Sequence, residues 1–564
     1  MSPAIRSKWS LVFLGAGALA AFAFLFPAAA QQNADSAGSA ATAGAIASDP
    51  VLKAMHEELE RSKAKLKMDN VPAPYYIEYR LADVREFNAD AAFGALTQNQ
   101  TIHARSIHVV VRVGDYKQDS YYGRGMGTVE LAPLDNDILA LRRQLWLATD
   151  QAYKMASEAL AMKKAVMSEY TGAQPFDDFA HATPVQLIEP LAHLEYDPQP
   201  WIAMIEKSTN LFRADPKIES LSAHAQFRAI NQYFENTEGT VTRHGYTVCE
   251  LVLSGSTQAS DGMRLDRSPY FITATPRELP SAADFQASAE KMLATLKQLR
   301  EAPIVDEDYS GPVLFSSDAS TDIFDSMVGR NVLGDRPKPG DSARTTGDFA
   351  SNYKSRVLPA FLSVIDDPTL KVFQGKTLIG SYDTDDEGVR PEKVSLIQNG
   401  ILENYLLGRQ PIRDFPESNG HGRAGPGQSP EPSIGNLIVQ SKEALSPADL
   451  RKKMLDLCRQ ESKPFCYFVE TMANDNPRLL YRVYVSDGHE ELVRGAIFDE
   501  LDTRTLRTDL VAVGNDPLVS NREGTIPTTV IAPSMLLDEL EVKRTDEKNA
   551  KLPEYPPPDL TQPK

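Results

Sequence analysis

The chain has 564 residues, 42% hydrophobic and 24% charged, and carries a net charge of −18. That length exceeds a single core and predicts two or three domains, and the composition is that of a packed globular protein. The acidic balance argues against grip on a nucleic-acid backbone and against docking on an anionic membrane.

In chain order, residues 1–30 come first. Arg6 and Lys8 precede an apolar run over 11–26, and Ala28-Ala29-Ala30 stands before Gln31. This is the three-part pattern of a secretory signal peptide. The run is short for a bilayer span, and no later run approaches that length. The expectation is an exported protein, periplasmic or secreted, with no membrane contact after cleavage. Residues 31–48, rich in Ala, Gly and Ser, read as a flexible linker.

Residues 50–68 have helical spacing through Leu52, Met55, Leu59 and Leu66. Residues 75–84 and 101–113 read as strands, and 137–167 as a long helix with Ile138, Leu141, Leu145, Ala148 and Ala152 on one face. A section with Pro175, Pro184, Pro190, Pro198 and Pro200 reads as loop. Strands follow over 220–234 and 240–254, joined by Asn236-Thr237-Glu238-Gly239, and Ser281 opens a helix through Phe285, Met292, Leu296 and Leu299. The acidic stretch 301–309 lacks periodicity and marks a boundary. Beyond it strands are predicted over 376–381, 393–397, 402–407, 468–470 and 479–485, with a helix opened by Ser446-Pro447 and running to about Arg459. The fold class is α+β. An N-terminal domain of long helices and antiparallel strands (49–305) is followed by a mainly β C-terminal domain (306–545) and a disordered proline-rich tail (546–564).

Three cysteines follow the signal peptide: Cys249, Cys458 and Cys466. Export permits a disulfide, and Cys458 and Cys466 are the only pair close in sequence. A bridge and three small buried side chains are both open.

Catalytic zinc needs three protein ligands and an open position. None of the nine histidines pairs with another at helical spacing on a predicted helix, and His103 and His108, five apart on a strand, point to opposite faces. Asp383-Thr384-Asp385-Asp386-Glu387-Gly388 starts like an EF-hand loop, but position 12 is Val394 where a bidentate Glu is required. Gly420-His421-Gly422-Arg423-Ala424-Gly425 fits G-x-G-x-x-G, but Pro426 and Pro430 block the helix that must follow. Gly-x-Ser-x-Gly is absent, and the cysteines have no adjacent basic motif to lower a thiol pKa.

Five blocks remain: Gly311-Pro312-Val313-Leu314-Phe315, Asp385-Asp386-Glu387-Gly388, Gln398-Asn399-Gly400-Ile401-Leu402, Asn419-Gly420-His421-Gly422-Arg423 and Pro432-Ser433-Ile434-Gly435-Asn436-Leu437. In that order they resemble the C-terminal domain of the TldD/PmbA (TldD/TldE) family of metallopeptidase-related proteins. Asn236-Thr237-Glu238-Gly239 is similar to a turn in that family's N-terminal half. Catalytic members carry His-Glu-x-x-x-His after the first block. Here those positions fall on Ser317, Asp318 and Asp322, so the chain looks like the PmbA/TldE branch that lacks the zinc motif.

The resemblance implies a subunit without a cofactor of its own, zinc being expected only in a catalytic partner. That partner is a zinc-bearing TldD-like homologue, or the chain self-associates, and unfolded peptides are the implied ligands. His421, Arg423 and Asn436 are candidates for peptide contact. Asp386, Glu387, Gly388, Asn399 and Gly400 are read as structural turns. Two other readings stand beside this one: a stand-alone, non-catalytic peptide-binding or interaction protein, and an enzyme with a relocated site at Asp318 and Asp322. Asp318, Asp322 and Asp325 share one helix face at i, i+4 and i+7, as a carboxylate metal site or as an acidic first turn favoured by the helix dipole.

Overall fold

Asp49 accepts hydrogen bonds from the Val51 and Leu52 amides at 2.8 and 3.2 Å and thereby starts helix α1 (Pro50–Lys65), with Pro50 at the first helical position. The structure, a computed structural model, describes residues 42–170, 176–338, 340–546 and 549–558. The expected signal peptide, residues 31–41 of the linker and residues 559–564 of the tail lie outside the described residues. Residues 42–48, expected as linker, are helical, and Ile46 packs on the same core as α1. Alanine-rich sequence needs only such an anchor to favour helix.

The N-terminal part is one sheet. A long hairpin of β1 (Tyr76–Ala92) and β2 (Ala95–Arg112) turns through Phe93 and Gly94, whose φ angles are 51° and 76°. Two positive φ values suit the right-handed twist of the flanking strands. With β3 (Thr128–Leu131), β4 (Gln186–Ile188), β5 (Ile218–Asn236) and β6 (Val241–Gln258), the strand order is β3-β2-β1-β5-β6-β4. The short strands β7 (Arg264–Arg267) and β8 (Tyr270–Thr273) both pair with β6. At the β5–β6 turn the Asn236 carboxamide oxygen accepts from the Glu238 and Thr240 amides at 3.0 and 3.1 Å.

One face of this sheet is apolar. Ile77, Tyr79 and Leu81 pack under α1 and α2 (Ile138–Met167). Phe87, Ala89 and Phe227 pack under α3 (Pro198–Thr209) and α4 (Ala282–Glu301). Helix α3 falls in the stretch read as loop, because Pro198 and Pro200 sit in a first turn that needs no amide hydrogen bond. The other face is polar and turns toward the C-terminal part: Arg80 donates to Gln428 O at 2.9 Å and Gln232 to Ala424 O at 3.4 Å.

The C-terminal part has two main sheets. In the first, β10 (Leu362–Asp366), β11 (Val394–Gln398), β12 (Ile401–Leu402), β13 (Asn436–Ser441), β20 (Leu518–Arg522) and β21 (Thr528–Ala532) are ordered β12-β11-β10-β13-β21-β20. In the second, β9 (Tyr309–Phe315) lies between β15 (Phe465–Ala473) and β22 (Met535–Arg544). Beyond β22 come β19 (Leu510–Gly514) and β14 (Ala444–Leu445), and beyond β15 come β16 (Asn476–Tyr484) and β17 (Glu490–Val493), while β18 (Ala496–Asp499) also pairs with β22. Helix α5 (Ser317–Met327) leaves β9 and buries Ile323, Phe324 and Met327 in the core between the sheets.

Helix α6 (Pro447–Gln460) covers the outer face of the second sheet through Leu450 and Met454, and Cys458 and Cys466 are joined there in a disulfide. A bridge closing so short a loop contributes roughly 2–3 kcal/mol in the chain-entropy account. Cys458→Ala/Cys466→Ala is expected to lower the unfolding free energy by about that amount. Urea melts of the oxidised and reduced wild type, compared with the double variant, check this; coincident melts of all three would contradict it.

Candidate functional site

The degenerate motif sits at the start of α5. Ser316 caps the helix by accepting from Ala319 N at 3.1 Å, and its hydroxyl donates to Glu470 O of β15 at 2.6 Å. Ser317 takes the first helical position. Burial of Ile323 and Phe324 on one side leaves Asp318, Asp322 and Asp325 on the other, as their spacing requires.

A cation from far along the chain meets that acidic face. Arg522, at the end of edge strand β20, donates through Nη2 to Asp322 Oδ1 at 2.6 Å and to Thr321 Oγ1 at 3.1 Å, and its Nη1 lies 3.5 Å from Asp325 Oδ2. Arg267 of β7 donates to Thr471 Oγ1 at 2.8 Å, and Tyr481 donates to Glu470 Oε2 at 2.9 Å. Tyr270 of β8 stands beside Arg522. Burial, with Asp322 adding like charge, pushes the Asp318 carboxyl above its usual range, and burial does the same to Asp325.

This donor set does not suit zinc. The three motif positions offer one hydroxyl and two carboxylates, and Asp322, at the second histidine position, is committed to a guanidinium. Zinc sites take imidazole and thiolate with at most a carboxylate, and a fixed cation at contact distance opposes a second one. Among the described residues no group of three or more His, Cys, Asp or Glu side chains is arranged to hold a metal. Sequence reasoning missed Arg522 because it lies about 200 residues from Asp322 and is brought there only by the β20–β21 pairing.

The three peptide-contact candidates are all buried. His421 is fully buried, with Nε2 3.2 Å from Asp366 Oδ1 and Nδ1 3.0 Å from Asn419 O. Arg423 is buried against the Tyr382 ring at 4.0 Å and donates through Nε to Asp386 Oδ2 at 3.1 Å. Asn436 is fully buried and donates to Asp367 O and Leu370 O, both at 2.9 Å. All three brace the interior, and within the glycine-rich segment Gly422 and Arg423 form a short strand that pairs with Pro432 and Glu431.

The turn residues form a buried acidic knot. Asp385 accepts from Glu387 N, Val389 N and Gly422 N at 3.0, 2.8 and 3.0 Å. Asp386 accepts from Ala424 N at 2.8 Å, and Glu387 accepts from the Arg409 amide. Gly388 has φ 76°, and a Cβ at Gly422 would lie 2.2 Å from Glu387 Oε2, so both glycines are required. Asn399 and Gly400, at φ 49° and 78°, make the β11–β12 turn.

Burial pushes the Glu387 carboxyl up to about 6 and raises Asp385 well above the carboxylate range. The folded state therefore holds these protons more tightly than the unfolded chain, and stability falls as pH rises through the window from about 4.5 to 6. The unfolding free energy is expected to drop by on the order of 1–2 kcal/mol across that window. Glu387→Gln should flatten the drop in pH-dependent melts; an unchanged pH profile would count against this account.

These features define a two-part α+β protein whose second part carries a strand-to-helix junction with an acidic helix face and a cation built into it. Residues 308–544 match the family described as PmbA/TldA metallopeptidase C-terminal domain. The C-terminal part is thus a domain of the PmbA/TldA metallopeptidase family. The chain is 36% identical over 93 residues to Metalloprotease MJ0996 of Methanocaldococcus jannaschii, a match spanning 16% of this chain and 20% of that protein. Two solved structures share the fold over 87% of this chain and 99% of their own. One is a putative modulator of a DNA gyrase from Thermotoga maritima (17% identity, TM-score 0.57). The other is TldE from Thermococcus kodakarensis (12% identity, TM-score 0.57).

Proposed function

We propose that this protein is an exported, TldE-like subunit that binds no zinc, holds unfolded peptides and supports proteolysis by a zinc-bearing partner. The observation that carries the reading is the Arg522 guanidinium bound to Asp322 and Asp325 on α5. It supplies a positive charge on the acidic face of the helix where catalytic relatives have their motif, and it engages the Oδ1 atom of Asp322. The partner's zinc would supply an activated water for attack on a peptide carbonyl. This chain would contribute a wall and strand edges, whose backbone groups bind extended peptides with little regard to sequence. The Cys458–Cys466 bridge supports an oxidising compartment, in keeping with the signal-peptide pattern of residues 1–30.

The test is affinity purification from the native source, with metal analysis and a peptidase assay on an unfolded polypeptide. A His-Glu-x-x-x-His homologue is expected to co-purify, zinc to be substoichiometric in the isolated chain, and cleavage to need both chains. Stoichiometric zinc in this chain alone, or cleavage by it that Asp318→Ala abolishes, would overturn the proposal. Peptide binding without any co-purifying homologue would favour a stand-alone binding protein.

A further inference from the structure

We infer that this chain pairs with a second copy of itself through the free edge of β2, around a two-fold axis at Asn99. Strand β2 pairs with β1 along its whole length, but β3 covers its outer side only from Ser106 to Val109. The Ala132 amide reaches Arg105 O at 2.9 Å and ends that cover. Among the described residues no segment forms a ladder with the outer side of residues 95–104. Alternate residues there direct N–H and C=O groups away from β1.

Soluble proteins blunt such edges with charge or proline. Residues 95–102 read Ala-Leu-Thr-Gln-Asn-Gln-Thr-Ile and contain neither, and residues 95–101 are all exposed. The one protective device is a bulge, which leaves Thr97 as the extra residue against Asp90 and Ala91. It twists the hairpin tip and shortens any shared ladder.

The occupant follows from the order of the side chains. Thr97-Gln98-Asn99-Gln100-Thr101 reads the same in both directions. Two copies of a strand related by a two-fold axis run antiparallel, so residue i meets residue 198 − i of its partner when the axis passes Asn99. Asn99 then faces Asn99, Gln98 faces Gln100 and Thr97 approaches Thr101, which matches amide with amide and hydroxyl with hydroxyl. An isologous contact of this kind needs a self-complementary patch, and a palindromic strand is one.

The ends fit the same arrangement. The axis brings the partner's hairpin tip beside residues 103–105, next to Leu131 at the end of β3. Leu131 is 78% exposed, and the tip carries Phe93 and Leu96 at 42% and 39%. Pairing would cover these apolar side chains together with the strand edge. The inference stands apart from the peptide-binding proposal, since it uses neither α5 nor any property of a partner enzyme.

Sedimentation velocity of the purified chain over a concentration series is expected to show a monomer–dimer equilibrium. Asn99→Lys sets two like charges face to face at the axis and should weaken self-association several-fold; Asn99→Glu should do the same. Mixing the two variants should restore dimer, a recovery that misfolding could not produce. Asn99→Cys should cross-link between copies under mild oxidation, whereas Ala95→Cys, far from its own copy in this register, should not. A wild type that stays monomeric throughout, a dimer indifferent to both charged variants, or cross-linking at 95 and not at 99 would overturn the inference.

Discussion

Replacing Arg409 with methionine is expected to lower the unfolding free energy by about 3–5 kcal/mol, the cost of leaving a buried charge without its partner. Arg409 is 1% exposed and ties the C-terminal part to the N-terminal sheet. Its Nε and Nη2 donate to Ala180 O at 3.1 and 2.7 Å, and Nη2 also donates to Glu238 Oε1 at 2.9 Å. Nη1 lies 2.8 Å from Glu238 Oε2, and the guanidinium stacks 4.0 Å over the Phe179 ring. Methionine fills much of the volume but leaves the Glu238 carboxylate and the Ala180 carbonyl without the cation. Adding Glu238→Gln should return part of the loss, because the orphaned charge goes with it. Urea unfolding at neutral pH measures both; a single variant within experimental error of wild type would contradict the role assigned to this residue.

Restoring the three motif side chains is not expected to restore zinc while Arg522 remains. In Ser317→His/Asp318→Glu/Asp322→His the guanidinium would lie against the new imidazole at position 322, where it now meets Asp322 at 2.6 Å. A fixed positive charge at that range opposes a divalent cation and competes for the ligand. Metal analysis after dialysis should find the triple variant as zinc-poor as wild type; stoichiometric zinc would sink the argument. Arg522→Ala in the wild-type background is expected to cost about 1–3 kcal/mol at neutral pH, because Asp322 and Asp325 then lose the guanidinium they contact while Asp318 stays nearby on the same helix face. The folded-state carboxyls of Asp318 and Asp325 already lie above their usual range, so the folded protein takes up their protons first as pH falls. The cost of the substitution should therefore shrink toward acid pH, where protonation relieves the repulsion. Melts at neutral and acidic pH read this directly.

Much of the scaffold was legible in the chain. The 3.6-residue spacing of Leu141, Leu145, Ala148 and Ala152 set out α2, and Ser281 and Ser446 marked helix starts that their side chains cap. Asn236-Thr237-Glu238-Gly239 announced the β5–β6 turn through the hydrogen bonds an Asn side chain makes to its own backbone. The β1–β2 hairpin was harder to read. Its turn is Phe93-Gly94, and a phenylalanine at φ 51° carries none of the usual turn signal; packing on Phe212 holds it there, with ring centroids 5.2 Å apart. The strands predicted over 376–381 and 402–407 shrink to 376–377 and 401–402, because their apolar residues are buried in loop packing instead of a ladder.

The sequence by itself determined the family blocks, the α+β class and the substitution of Ser317, Asp318 and Asp322 for a metal-binding motif, since each rests on residues adjacent in the chain or repeating at a fixed local period. Only the tertiary structure decided what those substitutions meet. It placed Arg522 against Asp322, turned His421, Arg423 and Asn436 inward onto Asp366, Asp386 and the Asp367 and Leu370 carbonyls, and set Arg409 between two halves of the molecule. The physical reason is common to all of them. Charge pairing and burial are set by distance in space, and strand pairing brings together residues hundreds of positions apart, which no local pattern encodes.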